Sequence, residues 1–534
     1  MGGHRRTRVA VGVVALLSLA STGVLAGPAQ ADSLKERERR DRAVVIEKFA
    51  KRVKAGQVLD HLDELQDIAE ANDGNRASGT SGYDRSVEYL VGELRDAGYH
   101  PKVQSFEFPF FQALGSSFSQ VAPAPTSYVE GTDYNLAEYS APADVQAEVV
   151  AVDLALEPPR TSTSGCEPSD FVAADGTSLV SRRIALLQRG GCAFGLKVQN
   201  AAAAGALGAV IMNQGNEDPN DDRFGVLTAT LGAPAAIPAV TVSFDRGVEF
   251  ASTEGVVLRI AADTISEVRT TANVIAETPA GDDSTVVMAG AHLDSVPEGA
   301  GINDNGSGSA ALLEIAVQLA KQRVAHHNTV RFAWWGAEEA NLLGSTHYVQ
   351  TLPEADLERI ALYLNFDMIA SPNYTFGIYD GDGSGPVPPS APVPAGSAEI
   401  EDLFEQLYAA RGEPFQDTEF SGRSDYGPFI SVGIPAGGLF TGAEDLKTED
   451  EAAVFGGLAG VALDPCYHQV CDNLGGEGLT PEQEAVYEQL DELYDLEGNV
   501  NEHALKVNTA VIASAILSLA RDATAVTGAA AATP

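Results

Sequence analysis

Apolar and polar positions follow two different rhythms along this chain. Tyr83 to Ala97 spaces its apolar residues every three to four positions and stops at Gly98, which predicts an amphipathic helix. From about Ala143 to Ala262 the apolar runs are short and β-rich: Ala147–Val152, Arg183–Leu187, Ala209–Met212, Ala239–Ser243 and Val256–Ile260. One alanine-rich helix, Gly195 to Ala204, lies among them. From Asn273 onward the rhythm becomes strand, glycine-rich turn, helix. Thr285–Ala291 reads as a strand, Ser307–Gln322 as a helix and Thr329–Trp335 as a strand. A helix from about Ser345 and a strand over Ala361–Asn365 follow. Strands separated by helices build a parallel sheet. The expected fold class is α/β: a mostly parallel-sheet domain with helices on both faces, plus an inserted β-rich domain. Ala504 to Leu519 returns to helical spacing, and Thr524 to Pro534 is an Ala/Thr tail expected to be disordered.

The first 31 residues have the pattern of an export signal. Arg5, Arg6 and Arg8 precede a short apolar run, Val9 to Leu25, and Ala29-Gln30-Ala31 is a small-residue cleavage site before Asp32. Gly12, Ser18, Ser21, Thr22 and Gly23 break the run, which argues against a membrane anchor. Residues 32–57 then read as a charged helix or pro-segment, with Val44, Val45, Ile46 and Phe49 on one side. The expectation is a secreted, soluble monomer with no membrane partner.

A length of 534 residues suggests two to four domains. With 44% hydrophobic and 20% charged residues the chain is not disordered as a whole. Thirty-four Lys+Arg stand against 75 Asp+Glu, a net charge of -41, which disfavours nucleic acid and anionic lipid as partners. Four cysteines exclude a disulfide-dense scaffold, and export makes disulfides plausible for all of them.

Candidate chemistry gathers where the predicted strands end. In Met288-Ala289-Gly290-Ala291-His292-Leu293-Asp294-Ser295 a strand ends at His292, and Asp294 is placed to hydrogen-bond the ring nitrogen that a metal would leave free. Asp304 lies just before the helix beginning near Ser307, where an isolated Asp is ordinarily an N-cap. The apolar strand Val330 to Trp335 runs into Gly336-Ala337-Glu338-Glu339, and the next ends at Asp367. The C-terminal ends of strands are where open α/β sheets bind ligands. His468 sits in the short loop of Cys466-Tyr467-His468-Gln469-Val470-Cys471. His292, Asp304, Glu339, Asp367 and His468 make three carboxylates and two imidazoles. Two divalent cations with one bridging hydroxide balance that charge, and the donor types suit zinc. Glu338 is left beside the metals as a base, which is hydrolytic machinery.

These residues, with Asn365-Phe366-Asp367-Met368-Ile369, Gly422-Arg423-Ser424-Asp425-Tyr426 and Tyr467-His468, resemble the secreted di-zinc aminopeptidases of the bacterial leucine aminopeptidase and aminopeptidase Y type. The resemblance covers about Ile68–Leu94 and Asn273–Leu519. It implies two Zn2+ per chain, Asp304 bridging both, His292 and Asp367 completing one site, and Glu339 and His468 the other. It implies Glu338 as general base, Tyr467 on the developing oxyanion, and Arg423 and Asp367 near the substrate's amino end. The substrate class would be peptide or protein N-termini, with an apolar first residue. The stretch Ile184 to Phe194, continuing through Lys197–Ala201 and Gly208–Asn213, resembles a protease-associated (PA) domain without metal ligands. The expected division is 58–135 and 266–522 for the peptidase domain, 136–265 for the insert and 523–534 for the tail. Of three possible cysteine pairings, Cys166–Cys192 with Cys466–Cys471 is the expectation. The acidic stretch Glu477 to Glu497 and the Gly442–Leu463 segment are expected to reshape the rim of the site. A carboxypeptidase or a glutaminyl cyclase on the same fold, and a catalytically dead binding protein, are the competing readings. Arg423 is the one basic residue offered near Asp425 and Tyr467, and the intact ligand set argues against the last.

Overall fold

The computed structural model describes residues 40–218 and 221–532. The export-signal reading over 1–31 lies outside them. Residues 40–50 are helical, as the charged segment predicts.

The chain from Phe49 onward forms one compact unit built on two sheets that share a pair of long strands. The strands Lys102–Ala122 and Val257–Glu277 run antiparallel, each 21 residues long. Their register shifts between Ala113 and Gly115, a β-bulge of the kind that bends a strand. On one side of the bulge, Val274–Glu277 pairs with the strand Asn328–Trp335. On the other, Val257–Ala262 pairs with Ala143–Ala151. One ribbon thus belongs to both sheets.

The first sheet has a parallel centre. Asp282–His292 pairs in parallel with Asn328–Trp335 on one side and Ile360–Phe366 on the other, and Ile360–Phe366 pairs with Ala436–Phe440. All eight residues of Asn328–Trp335 are buried, as its unbroken apolar run requires. The helices Ala55–Glu70, Ser81–Asp96, Gly308–Lys321 and Glu502–Arg521 pack around this sheet. Glu502–Arg521 is long and apolar enough to cross a membrane, but 78% of its apolar window is buried inside the protein, so it is a core helix.

The second sheet repeats the pattern. Ala143–Ala151, Ile184–Gln188, Gly208–Met212 and Ala239–Val242 are parallel neighbours, closed by antiparallel Tyr134–Leu136. Here the structure holds two helices where the sequence predicts one. Phe194–Ala203 is the expected one; Phe244–Ser252, capped by Ser243, buries only Phe244, Gly247 and Phe250. Its buried residues are spaced three apart, as a helix requires, but one of the three is a glycine and nine residues are too few turns for the pattern to stand out in sequence.

The C-terminal tail corrects another expectation. Thr524–Ala532 is helical and packs against the helix Ser397–Ala409, with Val526 buried. Alanine carries the best intrinsic helix propensity, and one apolar anchor is enough to dock a short helix.

Candidate functional site

The central parallel strands deliver their C-terminal ends to one place. His292 is the last residue of its strand and stands in register with Trp335. Gly336 then turns the neighbouring chain. A β-carbon there would lie 2.4 Å from the Tyr83 hydroxyl and 2.7 Å from the Ala272 carbonyl, so only glycine fits. Ala337 takes a positive φ of 53°, and its N–H donates to Ser78 Oγ at 2.6 Å. The turn brings Glu338 and Glu339 over the strand ends. Asp367 follows directly on Phe366, and His468 comes from the loop closed by Cys466–Cys471.

All five expected ligands come together with Glu338. His292 Nε2 lies 3.2 Å from Asp304 Oδ1 and 3.2 Å from Asp367 Oδ1. His468 Nε2 lies 3.3 Å from Asp304 Oδ2 and 3.0 Å from Glu339 Oε2. Each oxygen of Asp304 therefore faces a different imidazole. The residues divide into two ligand groups, His292–Asp304–Asp367 and Asp304–Glu339–His468, which share Asp304. Asp304 is not the N-cap of the following helix; that place falls to Ser307. Glu338 Oε2 is 3.9 Å from His292 Nε2.

The electrostatics match the crowding. Burial pushes the Glu338 carboxyl well above its ordinary value; His292 pulls against this, and Asp425, Asp367 and Glu339 add to the rise. Burial, then Asp304, raises Glu339 to about 7. Burial would raise Asp304 too, but its bonds to His292 and His468 hold it below the usual carboxylate range. Burial would lower both imidazoles; the acids around them outweigh it, carrying His292 well up and His468 to about 11. Left to themselves, these groups must share protons to coexist. Glu339 Oε1 is buried without a hydrogen-bond partner. A cation between the groups would satisfy that oxygen and offset the charge, and His/Asp/Glu donors suit zinc.

The supporting residues differ in part from expectation. His292 Nδ1 lies 3.0 Å from the Asp294 backbone carbonyl and 3.8 Å from its carboxylate. The main chain, not the carboxylate, orients the ring. The Asp294 carboxylate instead accepts the Glu338 N–H at 3.3 Å. Ser424 Oγ–H donates to Asp367 Oδ2 at 2.6 Å and accepts from Asn365 Nδ2 at 2.8 Å. Arg76 is fully buried, and its guanidinium donates to the carbonyls of Ala300 at 2.9 Å, Gly301 at 2.6 Å and Leu293. It ties down the loop between His292 and Asp304. Neither Ser424 nor Arg76 is assigned a role by sequence reasoning; a buried arginine whose partners are distant carbonyls leaves no local pattern.

Tyr467 stacks on His468, with ring centroids 3.9 Å apart. Arg423 is exposed, and among the described residues no ion pair engages its guanidinium. Both line a cavity of about 170 Å³ above Asp304, with Tyr379, Phe440 and Glu444. Ala443 to Asp445 line it as well, so the Gly442–Leu463 segment does reach the rim. The acidic stretch 477–497 supplies no residue to that lining; it folds into the helix Pro481–Asp491 and the first strand of a small hairpin. The cysteines pair as Cys166–Cys192 and Cys466–Cys471.

Comparison with known proteins agrees with this geometry. Residues 273–478 match Peptidase family M28 and residues 145–250 match the PA domain. An aminopeptidase of Pseudomonas aeruginosa is 49% identical over 425 residues, which is 79% of this chain and 77% of the relative. Leucine aminopeptidase 2 of Trichophyton tonsurans is 38% identical over 479 residues, 88% of this chain and 85% of the relative. The fold resembles that of a zinc aminopeptidase from Bacillus subtilis, with TM-score 0.55 and 24% identity, over 88% of this chain and 96% of that one.

Proposed function

This chain belongs to peptidase family M28, with a PA domain inserted in it, and on that premise we propose that it is a secreted zinc aminopeptidase holding two zinc ions. The observation that carries the reading is Asp304, whose two oxygens each face a separate imidazole while Glu338 is left over beside them. His292, Asp304 and Asp367 would hold one ion; Asp304, Glu339 and His468 the other. Bound there, zinc supplies Lewis acidity toward the scissile carbonyl and lowers the pKa of a nearby water.

The chain's own residues do the rest. Glu338 takes the proton of the attacking water and returns it to the leaving amine, a role suited to a carboxyl whose pKa burial has raised. The Tyr467 hydroxyl donates to the oxyanion that develops. Arg423 stands at the rim beside the substrate, and the carboxylates of Glu338 and Asp367 receive its ammonium group. The stacked pair Tyr467–His468 and the walls at Tyr379 and Phe440 line the cavity in which the substrate's first residue would sit. The names of the relatives support a peptide N-terminus as substrate, and the leucine aminopeptidase among them supports an apolar first residue. The arginine-led segment 1–31 and two disulfides support export, with the chain acting as a monomer. We read the domain division as 58–135 and 266–522 for the peptidase part and 136–265 for the insert, with the second seam inside the strand Val257–Glu277, beside the bulge at Ala113 and Gly115.

Cleavage of a free Leu-peptide beside its acetylated form tests the reading. Acetylation removes the ammonium charge and adds bulk where the carboxylates wait. The free peptide should be cleaved well and the acetylated form hardly at all. Comparable kcat/KM for the two would defeat the aminopeptidase reading.

A further inference from the structure

The acidic stretch after Asp472 looks in sequence like an addition to the rim, yet it ends by sending one side chain deep into the protein. Asn499, 1% exposed, follows the hairpin residues Leu496–Glu497. Its Nδ2 donates to both oxygens of Asp464 at 3.1 Å and to Asp472 Oδ1 at 2.8 Å. Its Oδ1 accepts from the Tyr487 hydroxyl of the helix Pro481–Asp491, and its N–H donates to the Asn473 carbonyl at 2.9 Å. Asn499 is therefore the donor held between two buried carboxylates.

Those two carboxylates flank the loop that carries His468. Asp464 precedes Cys466, and Asp472 follows Cys471. Both also hold the turn that carries Asp304, Asp472 by its backbone and Asp464 by the Asn303 side chain. Asp472 Oδ2 accepts the Asp304 N–H at 3.0 Å, and its Oδ1 accepts the Asn303 N–H at 2.8 Å. Asp464 Oδ2 accepts from Asn303 Nδ2 at 2.6 Å. The Asp304 turn and the His468 loop are thereby locked to each other through a single buried network. His292 and Asp367 take no part in it; they are held by the Asp294 carbonyl and by Ser424.

We propose that Asn499, Asp464 and Asp472 form a brace that sets Asp304 against His468, so that they are positioning residues chiefly for the metal position of Asp304, Glu339 and His468, while the other position shares Asp304 but keeps His292 and Asp367 on separate supports. The acidic stretch is then the arm that delivers Asn499. Without the amide, Asp464 and Asp472 would lose the Asn499 donor between them, and their grip on Asn303 and the Asp304 N–H would relax. A ligand whose support relaxes binds its ion less tightly, on the order of 10–100-fold in measured cases.

The proposal rests on the two-ion reading above, and zinc titration separates the two. The full chain is stripped with a chelator and titrated with zinc against a competing chromophoric chelator, with thermal unfolding recorded in parallel. Glu339→Gln, which alters a ligand of one position only, marks which binding step belongs to it. Asn499→Ala and Asp472→Asn should weaken that same step by roughly 10–100-fold and the other step, which shares Asp304 alone with the brace, by a clearly smaller factor. Tyr487→Phe removes only the hydroxyl that orients the amide and should give a smaller shift of the same step. It decides the matter if the other two fail to fold. Equal weakening of both steps, or no change in either in a folded variant, overturns the brace. A wild-type chain that takes one ion overturns the two-ion reading instead. The brace then stands if Asn499→Ala weakens that ion and falls if it does not.

Discussion

Two parallel sheets grow from one antiparallel ribbon, and among the described residues the clustered acids and imidazoles stand at the strand ends of one of them. Their central strands are alike. Ile184–Gln188 and Gly208–Met212 in the PA domain are buried throughout, like Asn328–Trp335 in the peptidase domain. The difference lies in what the loops after the strands do with their polar groups. In the PA domain, Gln188 Oε1 accepts the Ala155 N–H at 2.7 Å, and its Nε2 donates to the carbonyls of Ala155 and Gln214. Asn213 Nδ2 donates to the carbonyls of Asp222 and Gly225. These side chains satisfy the backbone. In the peptidase domain, Glu339 Oε1 and both oxygens of Asp425 are buried with no hydrogen-bond partner, and burial raises Asp425 to about 8. Among the described residues, no group of potential metal ligands falls within 145–250, whereas two such groups share Asp304. Secondary structure builds the platform in both sheets; unsatisfied polar groups mark which platform is in use.

Removing the metal should break this contrast most severely. Chelation is expected to take activity to background and zinc to restore it, with about two ions bound at saturation by elemental analysis. Stability should change as well, with a defined sign. Glu339 is raised from 4.5 to about 7 and His468 from 6.5 to about 11, so the folded, stripped chain holds protons more tightly than the unfolded one. The stability these groups lend is complete below their unfolded values and is lost as pH rises through the folded ones. The midpoint of thermal unfolding of the stripped chain should therefore fall between pH 5 and 8, while the zinc-loaded chain stays nearly level over that range. A stripped chain that grows more stable with rising pH would show that these groups are not crowded as described.

The next test separates the adjacent carboxylates. Glu338→Gln keeps shape and charge-free hydrogen bonding but accepts no proton. Turnover should drop by roughly 10²–10⁴-fold with zinc content unchanged. Glu339→Gln should instead weaken zinc binding. The reverse pattern would exchange the two roles and place the base on the His468 side.

A smaller loss is expected from opening the Cys466–Cys471 loop. The cysteines are five positions apart, so the bond removes little chain entropy from the unfolded state. Its local effect is larger, because it fixes Tyr467 and His468. Cys466→Ser/Cys471→Ser should lower kcat and zinc affinity more than it lowers the unfolding midpoint. Full activity with normal zinc content would leave the network around Asp464 and Asp472 as the sole support of that loop.

Much of the site was legible because its residues lie at strand ends. His292, Glu338, Glu339 and Asp367 follow apolar runs that must be buried, and position along such a run is a one-dimensional property. Asp304 and His468 entered the ligand set through the charge count and the short Cys466–Cys471 loop, but which ion each would hold was legible through motif resemblance alone, since residue 468 is distant in sequence from every other ligand. Arg76, Ser424 and Asn499 escaped, because their roles are defined by partners hundreds or tens of residues away and by no periodicity. The long ribbon escaped for a related reason. Phe106, Phe108 and Phe110 do alternate, but the bulge and the exposed residues around Leu114 interrupt the pattern where the strand passes between domains. The tail was misread because low-complexity Ala/Thr sequence has the composition of a disordered segment and also a high helix propensity; the docking of Val526 decides between them.

The smallest effect on turnover should come from the PA domain, and it tests the other side of the contrast. Gln188 is fully buried and joins the end of its strand to the chain at Ala155 and Gln214. Gln188→Met nearly preserves volume but supplies no hydrogen bonds. The Ala155 N–H and two carbonyls would be left without that partner, at a cost of roughly 1–3 kcal/mol for a buried group that stays unpaired. None of this domain's strand-end side chains lines the cavity above Asp304, so the loss should appear in unfolding and not in chemistry. Activity per folded molecule should stay within about twofold of the parent, since no group that touches the reacting bond has moved. Denaturant unfolding with kcat measured well below the transition gives both numbers from one preparation. A fall in kcat with unchanged stability would mean that the loops of the second sheet act on the reaction, and the division between a working platform and a satisfied one would have to be redrawn.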